Sequence, residues 1–148
     1  AYSAGSRYSS DPWQKGTFAA FAQTKADACS RATTIIIEQI KKMRDTGPTA
    51  EEVKKAVDSY VNGQVFDSES KSQVVRRLVQ LRFEGRDLDT PEKDMAAYAK
   101  LTAADIKSAA QKYLQPDKLT MLFVGNAKLF DRPLSDFGPV NEIKLEKE

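Results

Sequence analysis

"LTAADIKSAAQKYLQPDKLTMLFVGN", residues 101–126, changes period halfway along its length. In the first half Ile106, Ala109, Ala110, Tyr113 and Leu114 recur at spacings of three and four, one apolar stripe of a helix. Thr102 and Asp105 bracket its start, and Pro116 ends it. The second half contains "LTMLFVG", residues 119–125, a short apolar run rich enough to be a buried strand. A helix that hands over to a strand implies that both element types build this chain.

Towards the N-terminus the helical signals repeat. "DTPEKDMAAYAK" (residues 89–100) offers Thr90 as a cap and Pro91 at the first helical position. Val74, Val75, Leu78 and Leu81 mark a segment ending near Gly85, after a break at residues 63–72 where Gly63 meets the polar "DSESKS". Before that break, Thr49 and Glu52 form a capping box for a helix bearing Val53, Val57, Tyr60 and Val61. Another helix starts near Ala26, with Cys29, Ala32, Ile36, Ile40 and Met43 on one stripe. Lys41, Lys42 and Arg44 complement its dipole, and Gly47-Pro48 stops it.

Two strands come first in the chain. "AYSAGSRYSS" alternates from its first residue, and "GTFAAFAQTK" (residues 16–25) has apolar side chains on both faces, so both faces should be covered. "SSDPWQKG" joins them as a hairpin turn, with Trp13 in the loop. At the far end "VNEIKL" (residues 140–145) suggests a last short strand, and "EKE" a frayed tail. The order strand, strand, helices, strand, strand predicts an α+β fold, a mostly antiparallel sheet with helices packed on one face. The length fits a single domain over residues 1–148, able to bury roughly 70% of its unfolded surface.

Composition excludes more than it suggests. With 23 Lys+Arg against 21 Asp+Glu, a net charge of +2 predicts no nucleic-acid partner. No apolar run is long enough for a membrane span. Cys29 is the only cysteine, so an internal disulfide and a cysteine-built zinc site are ruled out. The chain has no histidine, which removes Ser-His-Asp and Cys-His catalysis and nearly every catalytic zinc site. Carboxylate-only chemistry and oxygen-ligated metals survive.

The short motifs are weak. Asp136-Phe137-Gly138 matches the magnesium-holding triplet of protein kinases, but the Gly-rich and H-R-D loops are missing, so it reads as a turn. Ser68 and Lys71 stand at S-x-x-K spacing without a K-T-G companion. Glu51-Glu52, Asp67/Glu69, Lys41-Lys42 and Arg76-Arg77 read as solvated faces.

The order of five stretches carries a resemblance. "AYSAGS" resembles the end of an R-x-x-x-G-L-A-Y-S stretch, "GTFAAFAQT" the strand after it, and "GPTAEEVKKAVDSYVNG" a G-x-T-x-E-E helix start. "LTAADIKSAAQKYLQPDKLTMLFVGN" resembles L-T-x-x-D followed by A-x-x-Y-L-x-P and a V-G-D-like strand end. "LSDFGPVNEIKL" resembles a closing L-x-x-F-G-x-V-x-x-I. Together they are similar to the C-terminal, non-zinc-binding half-domain of pitrilysin/insulinase-type zinc metallopeptidases, the group that includes mitochondrial processing peptidase.

The resemblance implies a half-domain truncated at its N-terminus. The other half would carry the H-x-x-E-H helix, the zinc and the water-activating glutamate. This half would close the chamber around an extended peptide and hold no cofactor of its own. The family's arginine and tyrosine, spaced R-x-x-x-x-x-x-Y, would help bind substrate; the tyrosine falls on Tyr2, and the arginine falls upstream of residue 1. Tyr2 could donate an oxyanion-type hydrogen bond; without the resemblance it reads as a packing tyrosine at a strand start.

The partners implied are a zinc-binding half or subunit and a peptide substrate, with self-association as a homodimer favoured by uncovered apolar surface. A bacterial envelope or a mitochondrion would fit family habit. The alternative is a non-catalytic structural subunit of the same family. An independent carboxylate hydrolase has nothing specific in its favour.

Overall fold

The computed structural model describes residues 1–10, 12–63 and 70–143. Two strands pair first: β1 (Ser3–Tyr8) runs antiparallel to β2 (Phe18–Gln23), from Ser3 opposite Gln23 to Tyr8 opposite Phe18. The ladder extends one step, where Ser9 N–H donates to the Thr17 carbonyl at 2.8 Å. Gly16 permits that closure, because a Cβ there would lie 2.1 Å from the Ser9 carbonyl oxygen. Only a residue without Cβ lets the backbones approach so closely.

Five helices follow among the described residues: α1 (Cys29–Asp45), α2 (Ala50–Gly63), α3 (Lys71–Phe83), α4 (Thr90–Tyr98) and α5 (Ala103–Tyr113). Their starts are written locally. Thr49 and Glu52 form the capping box of α2, with Thr49 N–H donating to Glu52 Oε2 at 2.7 Å and Glu52 N–H to Thr49 Oγ1 at 3.2 Å. Thr102 and Asp105 do the same for α5. Ser70 and Gln73 supply a third box at α3, inside the stretch that reads as a break. Helix α4 starts one residue earlier than its Thr90 signal: Asp89 occupies the cap position, and the Thr90 hydroxyl donates to the Asp87 carbonyl at 2.6 Å. Gly47, at φ +78°, ends α1, with its N–H and that of Thr46 both donating to the Lys42 carbonyl.

The chain resolves into two compact units, residues 1–40 with 116–148, and residues 41–115. The second unit is helical. The Tyr60 and Tyr98 rings join α2 to α4 edge to face, 4.7 Å apart. Arg86 bonds Asp94 at 3.0 Å, and Lys107 packs where Gly47 ends α1. Its buried apolar side chains are Val53, Leu81 and Ala110. Val75, Val79 and Phe83 of α3 stay exposed.

The first unit holds the hairpin, the start of α1 and the C-terminal segment. Ser30, at 1% exposure, and Ile40 are buried in it. Asp131 caps α1 from a hundred residues away in sequence: Ser30 N–H donates to Oδ1 at 2.7 Å and Arg31 N–H to Oδ2 at 3.1 Å. The Ser30 hydroxyl adds a bond to the Arg132 carbonyl.

The expected mostly antiparallel sheet with helices on one face is therefore corrected. Among the described residues the fold is mostly helical, with one two-stranded sheet. Residues 119–125, expected as a buried strand, pair with nothing, and neither do the described residues of the expected last strand, 140–143. The physical reason lies in where hydrogen bonds come from. A helix satisfies its backbone within itself, whereas a strand exists only beside a neighbour. The faces of β2 are half-exposed rather than covered, and the core is thinner than the length allows. Asp67, Ser68, Glu69 and the tail lie outside the described residues.

Candidate functional site

Two features of the first unit can meet other molecules. The first is Tyr2, whose backbone N–H donates to the Gln23 carbonyl at 2.7 Å, just ahead of β1. Its side chain is 71% exposed, so the phenol faces outward from the hairpin. Tyr8, Phe18 and Phe21 are exposed on the same two strands. An exposed phenol can donate to a carbonyl brought from outside the chain.

The second is a cleft of about 500 Å³ between β2 and residues 119–125. Helix α1 completes its lining with Cys29, Ala32, Thr33, Ile36, Ile37 and Ile40. Those α1 positions are the stripe read from the sequence, with Thr33 and Ile37 added beside it. Along residues 119–124 burial alternates strictly: Leu119, Met121 and Phe123 are half-buried, while Thr120, Leu122 and Val124 are exposed. That is the two-residue period of a strand, present without a strand partner. Leu122 and Val124 reach 78% and 91% exposure. Phe123 rests on Phe137, the ring centroids 6.3 Å apart, and this stacking anchors the segment to the turn at Leu134–Phe137.

One wall of the cleft has backbone without a partner among the described residues. Residues 120–124 make no backbone hydrogen bond to another described residue. On β2, the Ser9–Thr17 bond sets the parity of the ladder: Ala19, Phe21 and Gln23 turn their backbone groups towards β1. Phe18, Ala20 and Ala22 consequently turn theirs to the cleft.

Electrostatics in this unit centre on Asp131. The Ser30 backbone N–H, then Arg31's, hold its carboxyl below the ordinary carboxylate range. Burial, and next the Asp131 charge, push the Cys29 thiol up, which makes it a poor nucleophile. No group of three or more Cys, Asp or Glu side chains among the described residues could hold a metal ion. No helix among them is long and apolar enough to cross a membrane.

Tyr2 is the one site residue the sequence singles out, as a substrate-binding residue. Asp136-Phe137-Gly138 is a turn, with Gly138 at φ +138° and Phe137 used in packing. Sequence reading missed the Asp131 cap and the cleft. The cap joins residues too far apart for any local pattern, and the cleft is defined by pairing that does not occur. No family model, curated relative or solved structure matches the chain.

Proposed function

We propose that this chain is the non-catalytic, peptide-contacting half of an insulinase-type zinc peptidase. The companion half carries the zinc, its ligands and the glutamate that activates water; this half closes on an extended peptide and orients it. The observation that carries the reading is Tyr2: it falls at the family's substrate-binding tyrosine, and its phenol is exposed on the hairpin. A hydroxyl there can donate to the scissile carbonyl as negative charge develops on its oxygen.

The chain offers no imidazole base, and burial, then the Asp131 charge, push the thiol of its one cysteine up and make it a poor nucleophile. Its contribution is positional. Holding an extended peptide beside a metal-bound water turns a bimolecular encounter into an oriented one. A second reading, a structural subunit that assembles without cleaving, is favoured by the open apolar cleft, which suits a permanent partner as well as a transient one.

The test is Tyr2→Phe in the assembled peptidase. Losing one such donor lowers kcat by about 10²-fold. KM and the thermal midpoint should hardly move, because the side chain packs against little. An unchanged kcat removes Tyr2 from the site.

A further inference from the structure

The cleft beside β2 has the chemistry of a missing strand. One wall is the outer edge of β2, where Phe18, Ala20 and Ala22 turn N–H and C=O groups towards the opening. The opposite wall, residues 120–124, has the alternating burial of a strand and backbone groups without a described partner. Unpaired backbone on a half-buried surface is costly, and the native remedy is a partner or water. Two such edges facing one cleft call for an element that can hydrogen-bond on both sides at once, which only a strand can do.

We propose that the cleft receives a single β-strand from a companion polypeptide, pairing with Phe18, Ala20 and Ala22 on one side and residues 120–124 on the other. Three observations define the occupant. The α1 floor of Ala32, Ile36 and Ile40 is apolar, so every second residue of the incoming strand is apolar. Lys25 is the only charged residue lining the cleft and sits just past the end of β2, so the occupant is uncharged along its length and acidic at that end. The size also selects a peptide. A strand matching β2 is about 20 Å long and fills about 10 Å between its neighbours. Such a footprint falls well short of the ~800 Å² per partner that a stable dimer of folded copies buries.

A second copy is disfavoured for another reason. Its β1 and β2 each already spend one edge on the other, and its strand-like residues 119–124 are tied to the turn at Leu134–Phe137 by the Phe123–Phe137 stacking. The inference stands apart from the peptidase reading. It needs neither zinc nor Tyr2, so either can fail alone.

The experiment titrates the 148-residue chain with a seven-residue peptide of alternating valine and threonine ending in aspartate, followed by amide NMR and hydrogen exchange. The expected result is saturable binding that protects the amides of Phe18, Ala20, Ala22 and alternate residues within 120–124 at least tenfold. N-methylation of alternate peptide amides abolishes it, and replacing the aspartate by lysine weakens it severalfold. Ala20→Pro, and Leu122→Pro or Phe123→Pro at whichever position carries a protected amide, each removing one wall amide, weaken binding tenfold or more. Ser6→Pro serves as the control, because Ser6 faces the other edge of the hairpin, and it leaves binding intact. Should Ala20→Pro unfold the hairpin, the proline substitution on the opposite wall still decides. Absence of binding at millimolar peptide overturns the proposal, as does protection confined to the free edge of β1. Protection of the same amides by concentration-dependent dimerisation, without peptide, would make a second copy the occupant and overturn it equally.

Discussion

Asp131 does for α1 what no neighbouring residue does. Helix α1 begins without an acidic residue in its first turn, and its free N–H groups at Ser30 and Arg31 are met by a carboxylate a hundred residues away. The bond favours the charged form, so the folded carboxyl titrates below its unfolded value. The stabilisation is fully present above the ordinary carboxylate value and is lost as pH falls through the lowered folded one. Wild type should therefore lose thermal stability below about pH 4. Asp131→Asn should start lower at pH 7 and show a flatter decline, as read by thermal melts across pH 2.5–7. Parallel curves for the two proteins would contradict this. Nothing at residues 29–31 announces the cap, because its donor and acceptor are distant in sequence. The Thr49–Glu52 and Thr102–Asp105 boxes were legible because theirs are three residues apart.

Among elements, the helices could be read and the sheet could not, for one physical reason. Apolar spacing, caps and stops are local, so α1, α2, α3 and α5 lie close to where their signals place them. A strand is a relation between segments, and residues 119–124 carry the right period with no neighbouring strand among the described residues to complete it. Helix α3 shows the limit of a stripe. Val74, Val75 and Leu78 share the sequence pattern with Leu81, yet only Leu81 is buried. Leu81→Ala should cost about 3 kcal/mol in urea unfolding, as a core truncation that leaves a cavity. Val79→Ala on the same helix, exposed at its site, should stay within about 0.5 kcal/mol. Equal losses would mean that the exposed stripe of α3 is covered in solution. Ser70, read as part of a polar break, is a cap instead: a polar run before a helix suits both descriptions until Gln73 is seen to answer it.

Across the whole molecule, the two units differ in what they lack. The helical unit buries Val53, Leu81 and Ala110 and leaves Val75, Val79 and Phe83 exposed, while the hairpin unit leaves the cleft beside β2 and the Tyr2 phenol. Both proposals have such a surface completed by another polypeptide. That is the common ground of the peptidase half and the inserted strand, and neither asks this chain to perform chemistry. The reading of Tyr2 rests on the order of five sequence stretches, which locates the residue without describing its surroundings. The most direct test of that reading is cleavage of a fluorogenic extended peptide, with zinc content measured alongside, for the chain alone and for its assembly with the zinc-bearing half. We expect the chain alone to bind no stoichiometric zinc and to cut nothing, and cleavage by the zinc-bearing half to depend on adding it. Cleavage by the chain alone, or undiminished cleavage by the zinc-bearing half without it, would contradict the account.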